Sequence, residues 1–338
     1  MTTIKHIAKQ AGVSVTTVSR ALNGYSDVNA KTRKRIEKVA EELNYSPNSL
    51  ARSLVRNQSE TIGLLVSGFT KESIKDGFTV EVMSGINSYV AETEYDLVLF
   101  NTDSSKQRKK TYTQLCKERR VDGVILQGIK TDDPYLEEVM ESDIPCVFID
   151  IPVSSDHVGF VSTDNIEGAR VAASHLAELG HRNIGMINGH EQAFVSKERL
   201  QGYKLGLQQH GITYVPEYVK DGSFIEQEAY NQAIVLLQTH PEISAVFCAS
   251  DLMAIGAIDA ATHLGYRIPE ELSIIGYDDI PLASYVSPAL TTIAQNKYDL
   301  GYYAARMLIN ILKNQQKPEK CILKTELKIR QSTSTSIR

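Results

Sequence analysis

Between Ile4 and Asn23 the chain reads I-K-H-I-A-K-Q-A-G-V-S-V-T-T-V-S-R-A-L-N. Within that stretch Val15, Thr16, Thr17, Ser19 and Arg20 carry methyl, hydroxyl and guanidinium groups. Such groups suit base edges and phosphates better than a core. Ala8 stands four residues before Gly12 and Val18 six after it, the spacing of a helix-turn-helix. The alanine lets two helices approach, the glycine supplies the sharp turn, and the valine buries the second helix against the first. An ordinary helical hairpin also satisfies those three positions, so the surroundings have to decide.

Charge supports nucleic acid. The whole chain is acidic at −5, yet residues 1–58 hold ten Lys/Arg against four acids, a balance of +6. The other 280 residues carry 26 basic and 37 acidic groups, or −11. A solvated charged helix would explain Lys31–Lys38 alone. The asymmetry between the two parts fits phosphate contact confined to one end.

A second group of candidate residues lies where apolar runs stop. Ser67 follows Ile62–Val66, Gln127 follows Val124–Leu126, and Asp150 ends C-V-F-I-D. Ser250 and Asp251 follow A-V-F-C-A, and Asp278 ends S-I-I-G-Y-D. Paired donors and acceptors around a cleft suit a polyhydroxylated ligand, since each hydroxyl both donates and accepts. Any strand-terminal Asp can instead cap the next helix. Asp251, which opens L-M-A-I-G-A, reads as such a cap.

The elements needed to position both groups follow from periodicity. After Asn29, a good N-cap, Ile36, Val39, Ala40 and Leu43 form one stripe that closes a three-helix unit. Ser46 and Pro47 can start a short helix ending before Ser59, although a plain interdomain linker reads equally well. At that length it needs a partner to be ordered. Beyond Glu60, short β-branched runs (Ile62–Val66, Leu97–Phe100, Val124–Leu126, Cys146–Ile151, Ile184–Ile187, Ala245–Cys248, Leu272–Ile275) alternate with helical stretches. One such stretch is Val80–Tyr95, with Val80, Met83, Ile86 and Val90 on one face. Continuous apolar strands between helices predict parallel sheets covered on both faces. So many units predict two doubly wound lobes with ligand at the strand C-termini between them.

Several classes are excluded. There is no G-x-S-x-G elbow, P-loop, G-x-G-x-x-G or H-E-x-x-H, so no catalytic or metal site is expected. No apolar run approaches the ~20 residues of a membrane span, and the N-terminus carries no signal-peptide core. The four cysteines (Cys116, Cys146, Cys248, Cys321) show no paired spacing and read as reduced packing residues of a cytosolic protein.

The segments V-T-T-V-S-R-A-L-N, V-N-A-K-T-R-K-R-I, E-L-N-Y-S-P-N and A-R-S-L, in that order and spacing, resemble the headpiece of LacI/GalR-family repressors. The likeness continues through G-H-R-N-I-G, E-R-L-Q-G-Y, A-S-D-L-M-A-I-G-A, S-I-I-G-Y-D-D and P-A-L-T-T-I, essentially the whole chain. It implies a headpiece over 1–45, a hinge helix or linker over 46–59, and a core over 60–338 of the periplasmic-binding-protein type. The core would cross three times, near Val161, near Thr291 and around Cys321–Leu327. Lobe one would then be about 60–160 plus 292–322, and lobe two about 161–290 plus 323–338. The resemblance makes Val15 and Thr16 the main choosers of operator sequence, with Thr17, Ser19, Arg20 and Asn23 on bases or phosphates. Leu54, with Asn48 and Ala51 beside it, would wedge open the central base step from the minor groove, the unstacking cost being offset by contacts on the bent duplex.

For the effector the resemblance implies Arg199 and Asp278, an aromatic face at Phe224, and Gln295 on the lobe-one wall. Two positions depart from the family pattern. Ser250 stands where many members have asparagine, and Lys75-Asp76-Gly77-Phe78-Thr79 replaces an N-P-F-F-like segment; Asp76 there reads as a cap for the helix at Thr79. A dimer on a palindromic site is expected. The expected mechanism is a cytoplasmic repressor of carbohydrate genes, released from its operator when a sugar closes the cleft and changes the hinge spacing. The alternatives are a purine or phosphorylated corepressor, or a global carbon-control regulator with a protein coeffector.

Overall fold

The computed structural model describes residues 2–45, 58–67, 75, 77–102, 110–133, 135–152 and 158–337. They fall into two compact units, Met1–Glu60 and Thr61–Arg338. In the first, α1 (Ile4–Ala11) ends at Gly12, whose φ of +64° is left-handed. A side chain there would meet nothing within 4 Å, so glycine is required by the turn and not by crowding. Ser14 caps α2 (Val15–Leu22), its Oγ accepting from the Thr17 N–H, and Asn29 caps α3 (Ala30–Glu42) through Lys31. Ile7, Ala8, Val18, Ala21, Ile36 and Val39 form the core among the three helices. Removing the first cap with Ser14→Ala should cost the headpiece about 1 kcal/mol. Calorimetry of the whole chain should then show the headpiece melting a few degrees lower with the core transition unmoved.

The second unit is two lobes. The first begins with β1 (Thr61–Ser67), α4 (Phe78–Val90), β2 (Asp96–Thr102), α5 (Tyr112–Arg119), β3 (Gly123–Gln127), α6 (Leu136–Glu141), β4 (Cys146–Ile149) and β5 (Val158–Thr163). The second contains α7 (Asn165–Glu178), β6 (Ile184–Asn188), α8 (Phe194–Gln209), β7 (Val219–Asp221), α9 (Glu226–Thr239), β8 (Ala245–Cys248), α10 (Asp251–His263), β9 (Ser273–Asp278) and β10 (Thr291–Gln295). The chain then returns through α11 (Lys297–Leu312) and β11 (Lys320–Leu323) before β12 (Thr325–Lys328). The sheets run β11-β5-β4-β3-β1-β2 and β12-β10-β9-β8-β6-β7. Every pairing is parallel except that of β12 with β10. Leu300, Ala304 and Leu308 of α11 share a core with Ile86 and Ile125, so α11 belongs to the first lobe.

The crossings lie a few residues later than Val161 and Thr291, because each strand finishes its pairing before it leaves. β5 pairs with β11 through Thr163, and β10 pairs with β12 through Gln295. Lys324 alone separates β11 from β12. The last segment is tied down on lobe two, where the Ile274 N–H donates to Ser332 O and the Ser336 N–H to Leu179 O, both at 2.8 Å.

The helix expected over Val80–Tyr95 stops at Val90, whose carbonyl accepts from the Thr93 hydroxyl at 2.8 Å. Its buried stripe is also rotated: Val82, Gly85, Ile86 and Val90 are buried, while Val80 is 46% exposed. The cause is a close crossing with α11. A Cβ on Gly85 would lie 1.9 Å from the Tyr298 carbonyl oxygen, and one on Gly301 1.9 Å from that of Val82. Backbone meets backbone there, and that contact sets the roll of the helix.

Cys116, Cys146 and Cys248 are buried, Cys321 is half-buried, and all four are free. Burial pushes the thiols of Cys116 and Cys146 up to about 12, which leaves them inert. Among the described residues no helix is long and apolar enough to cross a membrane, and no group of His, Cys, Asp or Glu is arranged to hold a metal.

Candidate functional site

The headpiece presents Val15, Thr16 and Arg20 to solvent, with Thr17, Ser19 and Asn23 half-buried beside them. The Thr17 hydroxyl is hydrogen-bonded to Ser14 Oγ at 2.8 Å, so it supports the cap at the start of α2. Asn23 Nδ2 donates to Ser19 Oγ at 3.3 Å. Arg20 Nε donates to Asp27 Oδ2 at 2.9 Å, and its guanidinium lies 4.6 Å from the Tyr25 ring centroid. That pair holds the arginine in one direction; neither Tyr25 nor Asp27 is marked by any motif. Asn48, Ala51 and Leu54 lie outside the described residues.

In the core, Ser67, Gln127 and Asp150 come at the ends of β1, β3 and β4, which are neighbours in the first sheet. Gln127 is buried and its Oε1 finds no hydrogen-bond partner among the described residues. Asp150, at φ +61°, accepts from Ser162 Oγ at 2.6 Å.

From the second lobe, α8 delivers Arg199 and β9 delivers Asp278, both 3% exposed. Arg199 Nε donates to Asn165 Oδ1 at 2.9 Å and Nη1 to the Ala249 carbonyl at 2.5 Å. The same Nη1 is 3.6 Å from Asp278 Oδ1, and the guanidinium stacks 3.8 Å from the Tyr277 ring centroid. Gln295 Nε2 donates to that Asp278 oxygen, while its Oε1 accepts from Thr163 Oγ1 at 2.8 Å. Lys297 Nζ donates to the carbonyls of Asp278 and Asp279 at 2.6 and 3.0 Å. One polar network therefore runs from Asp150 through Ser162, Asn165, Arg199, Asp278 and Gln295 to Thr163. Thr163 and Gln295 are the last strand residues before two of the crossings, so the network lies on the hinge.

Three expectations change. Gln295 ends β10 of the second sheet and is not on the lobe-one wall. Asp251 is not the helix cap: Ser250 is, accepting from the Met253 N–H at 3.2 Å. Fully buried Asp251 instead accepts from Thr292 Oγ1 and, at 2.8 Å, from the Ile280 N–H, so it pins the loop after β9. The cap of α4 is Gly77, in left-handed conformation at φ +70°, and Asp76 lies outside the described residues. Phe224 has φ +59°, and its ring packs edge-on against His190 at 5.8 Å.

The electrostatics follow from burial. Burial pushes the Asp278 carboxyl up to about 6, against the opposing pull of Arg199 and Lys297. Burial likewise raises Asp150 against its Ser162 hydrogen bond and Arg199. Burial takes Glu198 to about 7, with an Asn165 hydrogen bond opposing and Asp150 adding to the rise. The centre of the cleft is thus rich in acceptors, and its carboxyls hold their protons to higher pH than free carboxylates do. Ser162, Thr163, Asn165, Glu198 and Lys297 complete it. Only the E in E-R-L-Q-G-Y had marked any of these.

A basic-ended helix-turn-helix unit and a two-lobed core with a polar hinge cleft define a DNA-binding regulator that responds to a small molecule. Residues 3–48 match the profile of bacterial regulatory proteins, lacI family, and residues 173–333 that of a periplasmic binding protein-like domain. The HTH-type transcriptional repressor PurR of Aliivibrio salmonicida (strain LFI1238) is 36% identical over 315 residues, 93% of each chain. The solved transcriptional regulator CelR–cellobiose complex is 31% identical with a TM-score of 0.77, over 98% of this chain and 100% of the other. The lac repressor dimer bound to operator and the anti-inducer ONPF is 28% identical with a TM-score of 0.83, over 98% and 99%. The chain belongs to the LacI family. It is a ligand-responsive DNA-binding repressor and not an enzyme.

Proposed function

We propose that this repressor acts in the cytosol as a homodimer whose grip on a palindromic operator is tightened by a purine-class base. The observation that carries the choice of ligand is the 36% identity to a PurR repressor along 93% of both chains. The cleft agrees with it on chemical grounds. The carboxyls of Asp150, Glu198 and Asp278, with the Gln127 carbonyl, face few cations besides Arg199 and Lys297. Such a site favours a neutral ring bearing N–H donors and disfavours a phosphorylated metabolite. The sugar inducer suggested by the strand ends is favoured by the likeness to the CelR–cellobiose complex. In this reading Val15 and Thr16 select the half-site, Thr17, Ser19, Arg20 and Asn23 place the helix, and Asn48, Ala51 and Leu54 act in the minor groove.

The test is a titration of fluorescent operator, selected by the purified protein from a random palindromic pool, with hypoxanthine, guanine, cellobiose or ribose present. A base that tightens binding by roughly tenfold, a coupling of about 1.4 kcal/mol, supports the proposal. Weakening by a sugar, with no effect of either base, overturns it in favour of the inducer.

A further inference from the structure

At the mouth of the cleft a cavity of about 460 Å³ is lined by residues of both lobes. Thr131 and Asp132 come from the segment after β3, Asn188 from the end of β6, Gly189, Glu191 and Gln192 from the loop that follows, and Ser196 and Lys197 from α8. The volume lies within the usual range for a small-molecule site. It is closed by one backbone hydrogen bond between the lobes, from the Thr131 N–H to Gln192 O at 2.9 Å.

The walls hold unspent hydrogen-bonding capacity. Ser196 is 1% and Asn188 8% exposed, and neither Ser196 Oγ nor Asn188 Oδ1 has a partner among the described residues. Asn188 Nδ2 donates to Ser196 O at 3.0 Å, which fixes the amide with its oxygen left over. Orphaned polar atoms at such depth cost stability, so they point to a group that satisfies them. The carboxylates of Asp132 and Glu191 stand at the rim. The oxygens of Asp132, Glu191 and Asn188 accept, the Ser196 hydroxyl both accepts and donates, and Lys197 donates. A polyhydroxylated ring meets that set.

The cavity also adjoins the hinge site. Ser196 precedes Arg199 by one turn of α8. A Cβ on Gly189 would lie 2.0 Å from the Phe224 ring and 2.6 Å from Ser196 Oγ, so glycine lets ring and hydroxyl converge there. We infer that the mouth cavity is a glycosyl subsite, and that the ligand is a nucleoside whose base reaches Arg199 and Asp278 while its ribosyl hydroxyls take Ser196 and Asn188. The inference rests on the purine reading and sharpens it.

Calorimetric titration of the full-length protein with guanine, hypoxanthine, guanosine and inosine tests it. The nucleosides should bind at least tenfold tighter than the bases. Ser196→Ala and Asp132→Ala should each erase most of that advantage with the affinity for free base unchanged; Asp132 is exposed, so its replacement is safe for folding. Bases binding as well as nucleosides overturn the subsite alone. So does a nucleoside preference that survives both substitutions. Binding of neither class overturns the subsite together with the purine reading.

Discussion

Arg199→Ala should destabilise the core by about 3–5 kcal/mol at pH 8, because it leaves buried carboxylates without their cation. Urea unfolding measures the loss. The guanidinium serves Asn165 Oδ1, the Ala249 carbonyl and Asp278 at once, so no single replacement supplies what it gives. Asp278 titrates near 6 in the folded protein. At pH 5 it is protonated, and much of the penalty for its missing partner disappears. The variant should therefore recover a large part of its deficit between pH 8 and pH 5. A deficit equal at both values would mean that Arg199 works through its stacking on Tyr277 and not through charge. On the proposed reading the same change also removes charge-assisted bonds to the ligand, worth about 1.5–3 kcal/mol, and should weaken ligand binding roughly 10- to 150-fold.

How much of this was legible in the chain differs between the two units. The three helices of the headpiece were readable because their signals are local. Gly12 makes the turn, Asn29 caps, and Val18 is buried within one turn of the exposed recognition face. In the core, strands with unbroken apolar runs, such as β3 and β8, were plain. β5 was not, because Val158–Thr163 ends in Ser162 and Thr163, the hydroxyls that serve the hinge. Function there interrupts the hydrophobic pattern that marks a buried strand.

The misplacements have physical causes of the same kind. The stripe of α4 rotated because Gly85 and Gly301 let the backbones of α4 and α11 touch only after the chain has returned to lobe one. Asp251 looked like a cap because its partners Ile280 and Thr292 are 29 and 41 residues away. The hinge network joins Thr163 to Gln295 across 132 residues. No spacing rule reaches that far, whereas the strand-terminal positions of Asp150 and Asp278 follow from the doubly wound topology alone.

Asp278→Asn should produce the largest change in pH dependence together with loss of the ligand response. The Asp278 carboxyl is raised from 3.8 to about 6 on folding, so the folded state binds the proton more tightly than the unfolded chain. Its contribution to stability is fully present below pH 3.8 and is lost as pH rises through about 6. A shift of that size corresponds to about 3 kcal/mol. Asparagine does not titrate, so urea unfolding of the variant should lack this decline between pH 4 and 6, and the variant should match or exceed the parent at pH 8. Asparagine tolerates a positive φ as aspartate does, and Asp278 stands at +111°, so strain adds nothing. The amide oxygen still accepts from Gln295, but Arg199 loses a carboxylate 3.6 Å away, which limits the gain to about 1–2 kcal/mol. On the proposed reading ligand binding should move the opposite way, because one acceptor becomes a donor facing the ligand's own N–H or O–H groups. A variant more stable at pH 8 and unresponsive to every ligand that tightens the parent would show that the carboxylate is retained against stability for recognition. A variant that keeps the pH 4–6 decline would move that titration to Asp150 or Glu198.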